Sequence, residues 1–161
     1  MNGPFEIDLS SYADVARRQH VPTRIKTFHG EAAFLSSFWA APITFDGIEF
    51  PTVEHAYQAA KTLDFHRRYE ISKIATPGQA KRAGQKVTLR PDWENIKEQI
   101  MLELVILKFM THRKLRDLLL STGHAELIEG NTWGDTYWGV CNGVGQNVLG
   151  KVLMLVRGQL R

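Results

Sequence analysis

The longest helical pattern in this chain, residues 92–111, sets the strongest constraint on how the chain can fold. Trp93, Ile96 and Ile100 recur at helical spacing, and the segment MLELVILKFM that follows is apolar on every side. Such a helix must be surrounded by other elements, and its apolar run is shorter than the ~20 residues that a membrane span needs. We therefore predict a central core helix from Asp92 to about Thr111.

The rest of the chain has room for one domain around that helix. With 161 residues and 43% hydrophobic composition, the sequence can bury one core but not two. Residues 1–24, which contain the helical pattern SSYADVARR, are expected to form an N-terminal extension to a domain at 25–161. No secretory or lipidation signal is visible, and the single cysteine, Cys141, fits a reducing compartment, so we expect a cytoplasmic protein.

The remaining patterns predict a mainly helical α+β domain with a small antiparallel sheet. Asp46-Gly47 lies between two apolar, alternating segments, which is a strong hairpin signal. Thr52, Thr76 and Asn147 are expected to cap helices, and Gly123 to end one. Further helices are expected in VEHAYQAAKTL, residues 65–74, QAKRAGQKV, KLRDLLLST and VLGKVLMLVRG, and further strands in RIKTF, KVTLR, LIEGN and YWGVC.

A polar face on the helix after the hairpin is the first candidate for chemistry. Glu54, Gln58 and Lys61 follow one another at i, i+4 and i+7, and His55 is adjacent. Glu54 falls in the first turn, where the helix dipole favours a negative charge. The face is either a solvated helix surface or a functional site, and in a site Glu54 is a good general-base candidate.

The segment EGNTWGDTYWG at residues 129–139 is the second candidate. It places Trp133 and Trp138 around Asp135 on a glycine-rich loop. One interpretation is a tight turn in which Asp135 bonds backbone amides. The other is an aromatic cage for a flat polar ligand such as a nucleobase or pyrimidine.

Other kinds of site find less support in the sequence. The loop NGVGQN before the last helix lacks Walker spacing, so a simple turn is favoured over a phosphate nest. The six histidines form no HxxxH or HxH pair, and one cysteine cannot build a Cys cluster, so no metal site is expected. A net charge of +3 in small basic groups favours a solvated surface over a nucleic-acid-binding face.

Four motifs in order, TVEHAYQ, TPGQAKR, RPDW and GNTWGDTYWG, make the chain resemble the NADAR family, which includes the YbiA-like N-glycosidases. The resemblance covers roughly residues 25–158 and implies hydrolysis of a C–N bond to ribose without a cofactor. The implied substrates are early phosphoribosylamino-pyrimidine intermediates of riboflavin biosynthesis. Other branches imply an ADP-ribosyl-guanine hydrolase that acts on ADP-ribosylated nucleic acid. A non-catalytic ADP-ribose- or NAD-type nucleotide-binding module is a third alternative.

The resemblance also assigns residues. The family's helix glutamate corresponds to Glu54, its DW tryptophan to Trp93 and its WGD aspartate to Asp135. We expect one of the two acids to activate water and the other to stabilise positive charge on the ribose, while Trp93 stacks on the base. The other expected substrate-binding residues are Lys61, Gln58, His55, Trp133, Trp138, Ser37, Phe38, Lys81, Arg82, Asn131 and Gly134.

Ser37 departs from the family pattern. The family usually has asparagine in the segment that reads FLSSF here, at residues 34–38. Serine offers one short hydroxyl where asparagine offers an amide donor and a carbonyl acceptor. We therefore expect a substrate preference that differs from the YbiA-like type.

Overall fold

Six α-helices, one 3₁₀ helix and six short strands make up residues 21–161, the part of the chain that this computed structural model describes. The helical pattern SSYADVARR lies outside these residues, whereas the mainly helical α+β fold is confirmed. In chain order the elements are β1 (Arg24–Ile25), the 3₁₀ helix (Gly30–Leu35), β2 (Ile43–Phe45), β3 (Ile48–Phe50), α1 (Val53–Ala60), α2 (Phe65–Ser72), α3 (Pro77–Gly84), α4 (Trp93–Thr111), α5 (Arg113–Ser121), β4 (Glu126–Leu127), β5 (Gly130–Asn131), β6 (Val140–Cys141) and α6 (Val148–Gln159).

Helix α4 forms the centre of the core, as its apolar pattern predicts. Met101, Leu104, Val105 and Phe109 are all at most 3% exposed. The helix packs against α1 and β2 as well as against α5 and α6, which explains why apolar residues occupy most of its faces. Met110, which is 58% exposed, is the exception near its end. Between residues 21 and 161, no helix is long and apolar enough to cross a membrane.

Helix α1 begins where the sequence predicts. Thr52 Oγ1 accepts a hydrogen bond of 3.1 Å from the His55 backbone N–H, which satisfies one of the free amides of the first turn. Thr76 caps α3 in the same way, through the Gln79 N–H at 3.2 Å. Glu54 therefore sits in the first turn of a well-defined helix.

The strands form three two-stranded sheets, of which one is antiparallel. The hairpin β2–β3 turns at Asp46 and Gly47 as predicted, whereas β1–β4 and β5–β6 are parallel pairs. The predicted strand KVTLR is wrong, because residues 87–90 are irregular. The Arg90 N–H instead donates to the Lys61 carbonyl oxygen at 2.7 Å, which ties this segment to the end of α1.

Asn147 does not cap α6 as predicted. Its backbone is left-handed, with φ of +53°, and its side chain makes no hydrogen bond to the first turn of the helix. The side chain instead accepts from the Glu129 N–H at 3.0 Å and donates to the Leu127 carbonyl oxygen at 2.9 Å. Asn147 therefore fixes the chain between β4 and β5.

The start of α6 is bound to the loop that precedes β6. The backbone N–H groups of residues 147–149 donate to the carbonyl oxygens of residues 137–139 at 3.0–3.2 Å. These amides are therefore occupied within the protein. The N-terminus of α6 is therefore not available to a phosphate, and residues 142–143 form the turn that the sequence favours.

Candidate active site

A cavity of about 710 Å³ opens where helices α1 and α3 and the segment from the 3₁₀ helix to Trp39 meet the loop between β5 and β6. It brings together ten of the residues predicted from sequence: Glu54, Asp135, Gln58, Lys61, Ser37, Phe38, Lys81, Arg82, Trp133 and Trp138. Four others, His55, Trp93, Asn131 and Gly134, do not line it. The polar face of α1 is therefore part of a cavity and not a solvated surface.

Glu54 lies in the wall of this cavity and is 6% exposed. Its Oε1 accepts from Gln58 Nε2 at 2.7 Å and its Oε2 accepts from the Ser37 hydroxyl at 3.2 Å, so both oxygens are oriented. Burial raises the pKa of Glu54, an effect opposed by the Gln58 hydrogen bond, the charge of Lys81, the Ser37 hydrogen bond and the charge of Lys61. A carboxylate with a raised pKa is a stronger base once ionised.

Ser37, the position at which the sequence resemblance suggests an asparagine, makes a direct contact to the acid. The Ser37 carbonyl oxygen also accepts the Glu54 backbone N–H at 3.0 Å. The serine thus holds Glu54 at two points with one hydroxyl and one carbonyl.

Three basic residues line the same cavity, namely Lys61 at the end of α1 and Lys81 and Arg82 in α3. Burial lowers the pKa of Lys61, the charge of Glu54 opposes that effect, and Lys81 adds to it. The Lys61 ammonium also lies 5.5 Å from the ring centroid of Tyr57. The cavity can therefore hold an anionic group close to the glutamate.

Asp135 is held by the turn that contains it. Its Oδ1 accepts from the backbone N–H groups of Tyr137 at 3.1 Å and Trp138 at 2.9 Å. The tight turn is therefore present, since Asp135 bonds backbone amides. Asp135 also lines the cavity with Trp133 and Trp138, and the flat ligand expected there stays a prediction. The turn fixes the carboxylate without a second side chain.

Asn131 and Gly134 shape this turn from outside the cavity. Asn131 Nδ2 donates to the Asp135 carbonyl oxygen at 2.7 Å, and its Oδ1 accepts the Asp135 N–H at 3.0 Å. Gly134 has φ of +87°, a left-handed conformation that glycine adopts without strain. Both residues thus position Asp135, and Asn131 also lines a smaller neighbouring cavity, so a substrate contact for these two residues stays a prediction.

His55 and Trp93 are also placed differently from the prediction. His55 is 0% exposed, and its ring nitrogens bond the Thr52 hydroxyl at 2.8 Å and the Ile74 carbonyl oxygen at 3.0 Å. Trp93 is 4% exposed and packs against Tyr57, with ring centroids 5.1 Å apart. His55 thus connects α1 to the end of α2, while Trp93 supports Tyr57, which itself lines the cavity.

Glu129 is a cavity residue that the sequence prediction missed, although it begins the motif EGNTWGDTYWG. Burial, the negative charge of Asp135 and that of Glu54 together raise its pKa to about 7. The charges of Lys81 and Lys108 act in the opposite direction. An acid that precedes Gly-Asn in a loop gives no local sign of burial, so its position depends on the tertiary fold.

Lys108 lies behind the cavity in α4 and is 1% exposed. Its ammonium donates to the carbonyl oxygens of Phe34 at 2.6 Å and Ser36 at 2.9 Å, which fixes the end of the 3₁₀ helix next to Ser37. Burial lowers the pKa of Lys108 to about 7, and the charge of Glu129 opposes that effect. Lys108 therefore supports the segment that carries the serine contact to Glu54.

A second, smaller cavity of about 390 Å³ adjoins the first. The two share His29 and Trp133, and the second also contains Lys26 and Asn142. Trp133 is 57% exposed and stands between them. Within residues 21–161, no group of three His, Cys, Asp or Glu side chains is arranged to hold a metal ion.

Comparison with known proteins places these features in a family. The family model of the NADAR domain matches residues 25–161. The N-glycosidase YbiA of Shigella flexneri serotype 5b is 46% identical over 128 residues, which cover 78% of this chain and 79% of that protein. A riboflavin biosynthesis protein of Vibrio vulnificus is 35% identical over 131 residues, covering 80% of this chain and 35% of that protein.

A solved structure shares the fold as well. The NMR structure of Escherichia coli YbiA matches with a TM-score of 0.79 at 41% sequence identity, covering 91% of this chain and 90% of that chain. Family model, sequence relatives and structure agree with one another. This chain belongs to the NADAR family.

Proposed function

We propose that this protein is an N-glycosidase that hydrolyses the C–N bond between a ribose phosphate and an aminopyrimidine. The observation that carries the proposal is that Glu54 and Asp135 line one cavity, together with the basic residues at 61, 81 and 82. Relatives of similar length are named N-glycosidases, and the chain is of the same class, the hydrolases that act on N-glycosyl compounds. The name of the Vibrio relative supports an intermediate of riboflavin biosynthesis as the substrate.

The lining of the cavity suits the two ends of such a substrate. Lys61, Lys81 and Arg82 provide the donors and the positive charge that a phosphate requires. Trp133 and Trp138 offer flat apolar surfaces for an aromatic base. The ribose would then lie between the two groups, next to the acids.

Glu54 is the residue that we assign to water activation. Both of its oxygens are oriented by donors, and its raised pKa makes the carboxylate a stronger proton acceptor when it is ionised. As the C–N bond breaks, water adds to C1′ of the ribose and gives one proton to Glu54. The leaving nitrogen takes up one proton as the bond breaks, so the products are ribose phosphate and the free amine.

Asp135 is the residue that we assign to stabilising the ribose. Cleavage of a ribosyl C–N bond builds positive charge on the sugar ring, and a fixed carboxylate nearby lowers the energy of that state. The two backbone N–H groups that bind Asp135 Oδ1 hold the group in place before the substrate arrives. No reorganisation is then needed during the reaction.

Product analysis tests this proposal. The protein is incubated with a phosphoribosylamino-pyrimidine, and ribose 5-phosphate is detected by chromatography with mass detection. We expect Glu54→Gln and Asp135→Asn to lower turnover by ~10²-fold or more. The matched controls are Glu49→Gln and Asp117→Asn, which change exposed acids on β3 and α5.

The results separate the alternatives clearly. Ribose 5-phosphate released by the wild type and the controls, but not by the two site variants, supports the proposal. Near-normal rates in both site variants would refute the roles given to the acids. A wild-type protein that binds the compound without cleaving it would point to a non-catalytic nucleotide-binding module.

The second cavity favours one further candidate substrate, ADP-ribosylated guanine in nucleic acid. ADP-ribose is longer than ribose phosphate, and the adjoining cavity with Lys26, His29 and Asn142 offers space for its second half. ADP-ribosylated guanine DNA is therefore the parallel substrate in the same assay. Release of ADP-ribose from it, without ribose 5-phosphate from the pyrimidine compound, would select this candidate.

A further inference from the structure

The backbone of Glu129 is held in place on two sides. Its N–H donates to Asn147 Oδ1 at 3.0 Å, and its carbonyl oxygen accepts the Val140 N–H at 2.9 Å. A Cβ atom at Gly139 would lie 2.2 Å from that carbonyl oxygen and 3.0 Å from Glu129 Cγ, so the chain can approach this closely only at a glycine. The fold thus fixes where the Glu129 side chain begins.

The carboxyl group of Glu129, in contrast to its backbone, has an oxygen without a hydrogen bond within residues 21–161. Its Oε2 is buried and has no hydrogen-bond partner among the residues that the structure describes. Such an atom is costly to bury, and in native proteins it usually has a functional reason. Glu129 also lines the cavity together with Glu54 and Asp135, so its side chain lies next to any ligand bound there.

We propose that Glu129 is the catalytic acid that protonates the leaving nitrogen. This inference rests on the N-glycosidase activity proposed above and adds a third acid to it. Glu54 and Asp135 serve the water and the sugar, and neither is free to protonate the amine. Glu129 lines the same cavity, and the protein itself leaves one of its carboxyl oxygens without a hydrogen bond among the described residues.

The charges around Glu129 favour its protonated form. Burial has the largest effect, and the carboxylates of Asp135 in the β5–β6 loop and Glu54 in α1 act in the same direction. Lys81 in α3 and Lys108 in α4 oppose them, and the pKa is about 7 as a result. A carboxylic acid with a pKa near the working pH is well suited to donate a proton.

The proton balance of the reaction is complete with this assignment. The Glu129 proton passes to the nitrogen as the C1′–N bond breaks, and the bonding pair stays with the amine. Water bonds to C1′ and its proton passes to Glu54. One proton must then return from Glu54 to Glu129, directly or through solvent, before the next turnover.

The experiment compares two substrates that differ in their need for an acid. One is the phosphoribosylamino-pyrimidine, whose amine leaves only when protonated. The other is 4-nitrophenyl riboside 5-phosphate, whose nitrophenolate leaves without a proton. We expect Glu129→Gln to lower kcat on the amine substrate by ~10²-fold or more and to leave the nitrophenyl substrate close to the wild-type rate.

Two controls accompany this variant. Glu126→Gln makes the same change three positions earlier, at an exposed side chain that pairs with Arg24 at 2.8 Å, and should behave as wild type on both substrates. The pH dependence of the wild type gives a second measurement. Its kcat/KM for the amine substrate should fall as Glu129 ionises above about pH 7, whereas its kcat/KM for the nitrophenyl compound should not fall there.

Each outcome decides between the proposals. If Glu129→Gln slows both substrates equally, or neither, Glu129 is not the acid. A wild-type alkaline decline that is the same for both substrates overturns the inference as well. A wild-type protein that cleaves neither substrate overturns the N-glycosidase proposal itself, together with this inference.

Discussion

Replacement of Glu129 by glutamine should make the folded protein more stable at alkaline pH. The pKa of this side chain rises from an ordinary value of 4.5 to about 7 on folding, chiefly because of burial. The folded state therefore binds the proton more tightly than the unfolded state. The free energy of unfolding of the wild type falls as the pH rises from 4.5 to about 7. Above that range the full loss of stability caused by the ionised Glu129 is present.

The size of the effect follows from the two pKa values. Each pH unit between them costs about 1.4 kcal/mol, which gives an upper limit of about 3 kcal/mol. Because the side chain is only partly buried, solvent screening reduces this to about 2 kcal/mol. For a chain of 161 residues that corresponds to a rise in Tm of about 4–8 °C.

Thermal unfolding followed by circular dichroism at about pH 8.5 and about pH 4 measures the difference. We expect Glu129→Gln to exceed the wild-type Tm at the higher pH and to match it at the lower pH, where both side chains are neutral. Glu126→Gln, which removes only an exposed ion pair, should change Tm little at either pH. A Tm of Glu129→Gln below that of the wild type at about pH 8.5 would refute the reasoning. An equal increase in Tm at about pH 8.5 and at about pH 4 would refute it as well.

Three further variants test the placement of other residues. His55→Phe should lower the free energy of unfolding by about 1–3 kcal/mol, because the Ile74 carbonyl loses its donor, and it should leave kcat/KM unchanged. A loss of kcat/KM with a normal Tm would instead show that His55 contributes to substrate binding. Trp93→Ala should cost about 3–5 kcal/mol through the lost core packing, measured by denaturant unfolding, and a purely kinetic effect would contradict this. Gly84→Ala should lower the free energy of unfolding by about 1–3 kcal/mol, because the added Cβ would lie 2.8 Å from Gln58 Cβ. Gly78→Ala in the same helix serves as the stability control, because its added Cβ would meet no atom nearer than 4.0 Å.

The parts of the fold that depend on neighbouring residues could be predicted from the sequence. The hairpin at Asp46-Gly47, the caps at Thr52 and Thr76 and the central helix α4 are all set by local propensity and periodicity. The parallel pairs β1–β4 and β5–β6 could not, because each joins segments that carry no pairing signal of their own. Asn147 failed as a cap for a similar reason, since distant partners compete for its side chain.

The same distinction between local and distant determinants applies to the candidate site. Family motifs placed Glu54 and Asp135 correctly in one cavity, because each motif carries its own turn or helix start. The same motifs do not reveal which way a side chain points, so His55 and Trp93 were expected in the site although both face the core. Glu129 was missed because only the tertiary fold buries it.

The hydrogen bonds between residues 147–149 and 137–139 join the aspartate turn to the last helix in one cooperative unit. The amide protons of 147–149 should therefore exchange with deuterium as slowly as those of the core, although they begin a helix after a surface loop. Residues 132–134, in contrast, are exposed at the tip of the turn. Although exposed, this tip should not tolerate changes of length, because the two Asn131–Asp135 hydrogen bonds span it and would no longer hold Asp135 in the cavity wall.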